Sequence, residues 1–366
     1  MTATVDQTYV IRVGPLNSLS SLIFFLSRPL AELSQMYVRG QAVRPVFDLR
    51  AVEPRRQSMA ALTAFLSIAE RLGKFTGYPV PVLFDWNPAV LSFWDDIKFL
   101  QLAETQAYLQ FEEALLGGYR VGATNPNTRI VRYALDETDP MPDLRSGAPL
   151  RAWKDRTRSM LSNDISFTCE NLFRPIGSRG AIDERVKNLI TASAAELALN
   201  SLMHGRAPAY LGVQRAPASI TVAVCDCGEG FPTSLSRHPN HADAINRSPP
   251  SDAQALLFAC LMNRSEMGLL RAITQITGSS LFDGAVLMSS YSAEMRWRQG
   301  LWERTLKALD DKVTRPADLD VSALLGPSLG VRPSYEAKQE GFYRSWEPGL
   351  RGTRVSFEIR IHTDHA

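Results

Sequence analysis

The sequence predicts a two-part α/β fold, on three observations. Its 366 residues exceed one ordinary core at roughly 150 residues per domain. Short β-rich runs alternate with helix-period runs through the first third of the chain. A polar stretch with three prolines, residues 136–149, then interrupts all periodicity. We read residues 1–118 as one α/β domain, 119–150 as a linker and 151–366 as a second domain with an insertion at about 300–348.

Taken in order, Tyr9-Val10-Ile11-Arg12-Val13 is a first strand, closed by Gly14-Pro15. Residues 17–37 have helical spacing. Pro45-Val46-Phe47-Asp48-Leu49 is a second strand. Residues 58–72 follow, with Leu62, Phe65, Leu66, Ala69 and Leu72 on one apolar face. Residues 79–84 give a third strand. Asn87-Pro88 then opens a helix as N-cap and first helical residue, and Leu91, Trp94, Ile97 and Phe99/Leu100 form its apolar side. Such alternation implies a mainly parallel sheet covered by helices. In the second part, helical patterns lie near 151–174 and 181–204, and strands near 209–214 and 219–225. A loop-rich segment covers 232–251. Helical patterns near 252–263 and 268–277 and strands near 285–297 and 353–361 complete the chain.

Composition narrows the function. The fractions of 45% hydrophobic and 21% charged residues exclude disordered, collagen-like and coiled-coil classes. Forty Lys+Arg against 38 Asp+Glu give a net charge of +2, which argues against nonspecific nucleic-acid binding. The longest apolar run, 255–262, falls far short of the about 20 residues of a membrane span. The N-terminus has no secretory pattern. Cys169, Cys225, Cys227 and Cys260 read as reduced packing residues, with no second pair to complete a zinc site. The expected compartment is the cytoplasm.

The informative residues lie in the second part. Glu196, Asn200 and His204 stand at i, i+4 and i+8, within an arc of about 80° on an otherwise apolar helix. Taken alone, that helix reads more simply as amphipathic, with Glu and His in solvent. A bound cation and phosphates would equally satisfy the stripe. An Asn carbonyl is a hard ligand suited to Mg²⁺, and a neighbouring carboxylate can deprotonate a hydroxyl or water. The second element changes the balance. Ile220-Thr221-Val222-Ala223-Val224-Cys225 is a strand that runs into Asp226-Cys227-Gly228-Glu229-Gly230. There an Asp at the strand end can accept from an exocyclic amine, and the alternate glycines let backbone approach a ligand closely.

Glu-x-x-x-Asn-x-x-x-His followed by Asp-x-Gly-x-Gly resembles the N box and G1 box of the Bergerat-fold (GHKL) ATP-binding domains. The run Glu-Leu-Ala-Leu-Asn-Ser-Leu-Met-His-Gly is most similar to the anti-sigma-factor serine kinase branch. The resemblance covers roughly residues 155–366 and implies a GHKL α/β sandwich that binds ATP and Mg²⁺. It implies Asn200 as the Mg²⁺ ligand, Glu196 as general base and His204 beside the phosphates. It further implies Asp226 on the adenine amine, Gly228 and Gly230 shaping that pocket, and Thr353 of Gly352-Thr353-Arg354-Val355 near the adenine. Ser265-Glu266-Met267-Gly268-Leu269-Leu270 stands where the family's second glycine box opens a helix, and residues 231–263 would form a mobile lid. Only Gly268 of that box is kept, which weakens the phosphate cradle. The insertion holds Trp302, Tyr335, Tyr343 and Trp346, which we expect to pack on the core rather than form a partner surface.

The first part resembles a STAS domain through Val10 to Leu16, Val46 to Leu49, the 58–72 helix and Val82-Leu83-Phe84-Asp85. The family's Asp-Ser phosphosite is replaced by Glu53-Pro54-Arg55-Arg56-Gln57-Ser58, so Ser58 reads as a helix N-cap rather than a modified serine. A histidine autokinase is disfavoured, because all five histidines lie at or after the N box. Gyrase- and MutL-type machines, which use a following transducer domain, fit less well. The leading expectation is a Mg-ATP-dependent regulatory switch for binding a protein partner of STAS or signalling type, with or without slow hydrolysis. A serine/threonine kinase and a scaffold without nucleotide are the alternatives. Homodimerisation is implied by the resemblance alone.

Overall fold

A computed structural model describes residues 7–54, 57–117, 119, 128–135, 138–173, 184–238, 241–261, 268–280, 282–308, 315–329 and 340–361. The chain is mixed α/β, with one parallel and one antiparallel sheet.

The first part runs β1 (Gln7–Arg12), α1 (Leu19–Val38), β2 (Val43–Asp48), α2 (Met59–Thr76), β3 (Val80–Leu83), α3 (Pro88–Asp96), α4 (Phe99–Thr105), β4 (Leu109–Gln110) and α5 (Glu113–Leu116). Local chemistry sets these bounds. Ser18 Oγ accepts from Ser21 N to start α1, and Asn87 Oδ1 accepts from Val90 N to start α3. Gly77, in left-handed backbone, ends α2. Lys98 also takes a left-handed conformation and splits the single helix expected after Asn87 into α3 and α4.

The four strands pair in parallel in the order β1-β2-β3-β4. Right-handed crossovers in that order place every connecting helix on one face. The parallel, helix-covered sheet expected from the sequence is therefore covered on one side. Ile11 is buried against the helices, whereas Val10 and Leu83, on the other face, are 46% and 39% exposed.

The second part begins earlier than the sequence suggests. Within the stretch read as linker, β5 (Thr128–Tyr133) joins the second sheet as an edge strand. Then come α6 (Ala148–Phe173), α7 (Glu184–Asn200), β6 (Ala209–Arg215), β7 (Ser219–Cys225), α8 (Gly230–Arg237), α9 (Ala242–Arg247), α10 (Asp252–Leu261), α11 (Leu269–Thr277), β8 (Phe282–Trp297), α12 (Gln299–Ala308), α13 (Val321–Leu325) and β9 (Phe342–Ile361). The loop expected over 232–251 thus holds α8 and α9. The order β5-β6-β7-β9-β8 is antiparallel throughout, with a bulge in β8 near Tyr291. Strands β8 and β9 are longer than the sequence pattern implied, because β9 already starts inside the expected insertion. Trp302 of α12 is buried and edge-on to Trp297, its Nε1 donating to Thr274 Oγ1 at 2.9 Å. The insertion is accordingly part of the core at that point. Tyr335 lies outside the described residues.

One face of this sheet packs on α6, α7, α10 and α11. Its other face packs on α1 and α2, so a single apolar cluster joins Phe47, Leu62 and Phe65 to Tyr210, Ala223 and Cys225. Helices α1 and α2 are a shared layer between two sheets. Buried charge crosses the seam. Glu70 of α2 accepts from Arg132 Nε and Nη2 at 2.9 and 2.7 Å and from Tyr210 Oη at 2.7 Å, and it pairs with Lys74. Glu294, fully buried, accepts from Ser20 Oγ of α1 and pairs with Arg344. All four cysteines are free thiols in buried positions. Among the described residues, no helix is long and apolar enough to cross a membrane.

Candidate functional site

A cavity of about 430 Å³ opens between α7, the end of β7 and α6. Glu196, Asn200, His204, Asp226, Gly230, Gly268 and Thr353 all line it. The two motifs, 26 residues apart in the chain, therefore meet across one space. Gly228 does not line it.

Helix α7 carries the first motif. Its apolar positions, among them Ile190, Ala194, Leu197 and Ala198, are buried in the core, which turns the Glu196–Asn200 side toward the cavity. After Asn200 the chain leaves α-helical geometry for one π turn, Ser201–Gly205, which ends at Arg206 in left-handed backbone. Single π turns inside helices recur at functional sites. The Asn200 side chain makes no hydrogen bond with a described residue. Glu196 accepts from Arg158 Nε at 3.0 Å on Oε2, and its Oε1 has no partner among the described residues. Burial pushes the His204 imidazole down to about 4, with repulsion from Lys154 and His238 adding to it, so the ring is neutral near pH 7.

The second motif sits where β7 ends. Asp226 is 1% exposed. Its Oδ1 accepts from the backbone N–H of Gly228 at 2.9 Å and of Thr353 at 3.2 Å. Its Oδ2 makes no regular hydrogen bond with any described residue. Desolvation raises the pKa of this carboxyl, while the Gly228 N–H, the neighbouring Ser201 hydroxyl and the Thr353 N–H oppose the shift. A buried acceptor oxygen left unpartnered costs about 1–3 kcal/mol. Gly228 acts from behind. A Cβ there would stand 2.0 Å from Gly205 O, so only glycine lets the Asp226 turn and the π turn touch.

The sequence pattern did not single out α6. Arg151, Lys154, Asp155 and Arg158 stand at i, i+3, i+4 and i+7, and all four line the cavity. A basic helix face beside a predicted polar stripe was the available signal, but nothing in the sequence alone paired the two helices. Gly268 caps α11, and its own lack of a side chain leaves that end of the helix without a side-chain cap. Ser265, Glu266 and Met267 of the expected glycine box lie outside the described residues, as does Asn263 of the expected lid. Within the span read as a lid, α10 is a core helix, with Leu256, Leu257 and Cys260 buried.

No group of three or more His, Cys, Asp or Glu side chains among the described residues is arranged to hold a metal. One amide oxygen at a cavity wall fits a cation that takes most of its ligands from phosphates and water. It does not fit a cage made wholly of protein ligands. Compared with protein-family models, curated proteins and solved structures, the chain matches none.

Proposed function

We propose that this cavity binds Mg-ATP in the manner of a GHKL domain, and that the chain is a nucleotide-dependent regulatory protein. The observation that carries the reading is Asp226 Oδ2, a buried acceptor with no regular hydrogen bond from any described residue, on a carboxyl that lines the same cavity as Asn200. An adenine amine supplies the donor that oxygen lacks. The volume falls in the range of small-molecule sites. Val224, Leu235 and Val355 line the same cavity and offer apolar surface to a flat base. Mg²⁺, when bound, would neutralise and orient the phosphates, with Asn200 as its protein ligand. Glu196 and His204 border the phosphate end in this arrangement.

The first part of the chain, proposed as STAS-like, and the 300–348 region would present the surface that reads the nucleotide state. A switch of this kind works only if the partner prefers one state. Protein serine/threonine kinase activity is the second reading, favoured by the free Oε1 of Glu196, which leaves one carboxylate oxygen for a substrate hydroxyl.

Titration with nucleotide tests both. Mg-ATP at 100 times Kd should stabilise the protein by about 2.7 kcal/mol. Asn200→Ala should abolish the Mg²⁺ dependence of binding. Asp226→Asn should weaken ATP by about 10- to 100-fold, the worth of a hydrogen bond to a charged acceptor. No change in unfolding midpoint with nucleotide would leave a scaffold without ligand. Transfer of the γ-phosphate to a STAS-type protein, lost in Glu196→Ala, would establish the kinase.

A further inference from the structure

The α6 face carries charge that the described residues do not neutralise. Of its three cations, Arg158 is taken, by Glu196 and by Asp155. Arg151 and Lys154 form no ion pair or side-chain hydrogen bond with any described residue. The neighbours of Lys154 are two imidazoles, His204 and His238, and its charge helps to hold both rings neutral. The two carboxylates on this side of the cavity, Asp155 and Glu196, are the ones Arg158 already engages. Gly268 and Leu269, at the N-terminal end of α11, a helix of 9 residues, line the same cavity and bring the positive end of the helix dipole to it. The α6 cations and the start of α11 therefore line the same cavity as the Asp226 carboxyl, and of the three cations only Arg158 is paired with a described carboxylate.

Resting on the nucleotide reading above, we infer that Arg151 and Lys154 of α6 form the polyphosphate subsite of this cavity, doing with side-chain charge what a glycine-rich loop does with backbone. The ligand class follows from the groups that line the space: a purine amine for the Asp226 carboxyl and a di- or triphosphate for the α6 cations. Lys154 is the nearer contact, half-buried beside His204, and Arg151 closes the mouth as an exposed cation. A nucleoside without phosphates would fill only the Asp226 end.

The test compares adenosine, AMP, ADP and ATP by calorimetry on the full chain and on the double variant Arg151→Ala/Lys154→Ala. In the wild type, affinity should rise with each phosphate. The double variant should lose at least tenfold in ATP affinity, keep its adenosine affinity within about twofold, and show a flatter dependence on salt. Its unfolding midpoint without ligand should match the wild type. Lys154→Glu should weaken ATP further than Lys154→Ala. Unchanged ATP affinity in the double variant overturns the inference while leaving the nucleotide reading intact. An equal loss of adenosine and ATP affinity overturns it as well, because the residues would then be supporting the fold. A wild type that binds neither adenosine nor ATP removes the nucleotide reading itself, and this subsite with it.

Discussion

His204 shows how a single side chain in this cavity makes stability depend on pH. Its ring is held neutral down to about pH 4, whereas in the unfolded chain it takes a proton near 6.5. Between those limits the unfolded state binds more protons, so stability falls as pH drops from 6.5 toward 4. His238 and His241 are displaced in the same direction, chiefly by burial. Asp226 acts oppositely, since its raised pKa lets the folded state take up a proton first and so favours folding in acid. Urea midpoints measured from pH 7 to pH 4 should therefore decline, and His204→Asn should flatten part of that decline. A profile identical in the variant would show that His204 is solvated.

At the scale of elements, the site depends on how closely three loops touch. Gly352, which opens the last run of β9, has φ +100°, and a Cβ there would lie 2.2 Å from Asp226 O. Gly352→Ala should thus cost about 2 kcal/mol or more and displace Asp226 from Thr353. Nucleotide binding should drop with it, and a variant of wild-type stability and affinity would contradict the packing described. This scale also shows what the sequence disclosed. The amphipathic faces of α2 and α7, the cap at Asn87, and both site motifs follow local rules and were legible. Strand β5 was not, because Thr-Arg-Ile-Val-Arg-Tyr is short and lies beside a proline-rich stretch. Helices α8 and α9 were hidden by Pro232, Pro239 and Pro249, which read as loop. The contribution of α6 needed tertiary placement, since a cationic helix face is normally solvated.

For the whole molecule, the decisive group is Glu70. It is nearly inaccessible, yet Arg132, Lys74 and Tyr210 all serve it, and together they hold its carboxyl below the usual range against the effect of burial. Glu70→Ala should cost about 3–5 kcal/mol, because it strands Arg132 at the seam between α2 and the second sheet. A loss below 1 kcal/mol in a denaturant titration would mean that the seam is wet. Glu70→Gln should recover part of the loss, since it keeps the shape and two hydrogen-bonding atoms.

Helix α2 also reaches the chain on either side of Asp226. Thr63 Oγ1 lies 3.4 Å from Cys225 Sγ, and Arg71 Nη1 donates to Cys227 O at 2.9 Å, so both neighbours of Asp226 in the chain are gripped from the first part. Cutting the polypeptide near residue 119 would then not release two autonomous proteins. The C-terminal piece would bare Ile130, Tyr210, Ala223 and Leu350 to water and lose the brace behind the Asp226 turn. Its N-terminal counterpart would keep its sheet yet bare the side of α1 and α2 that packs on the second sheet.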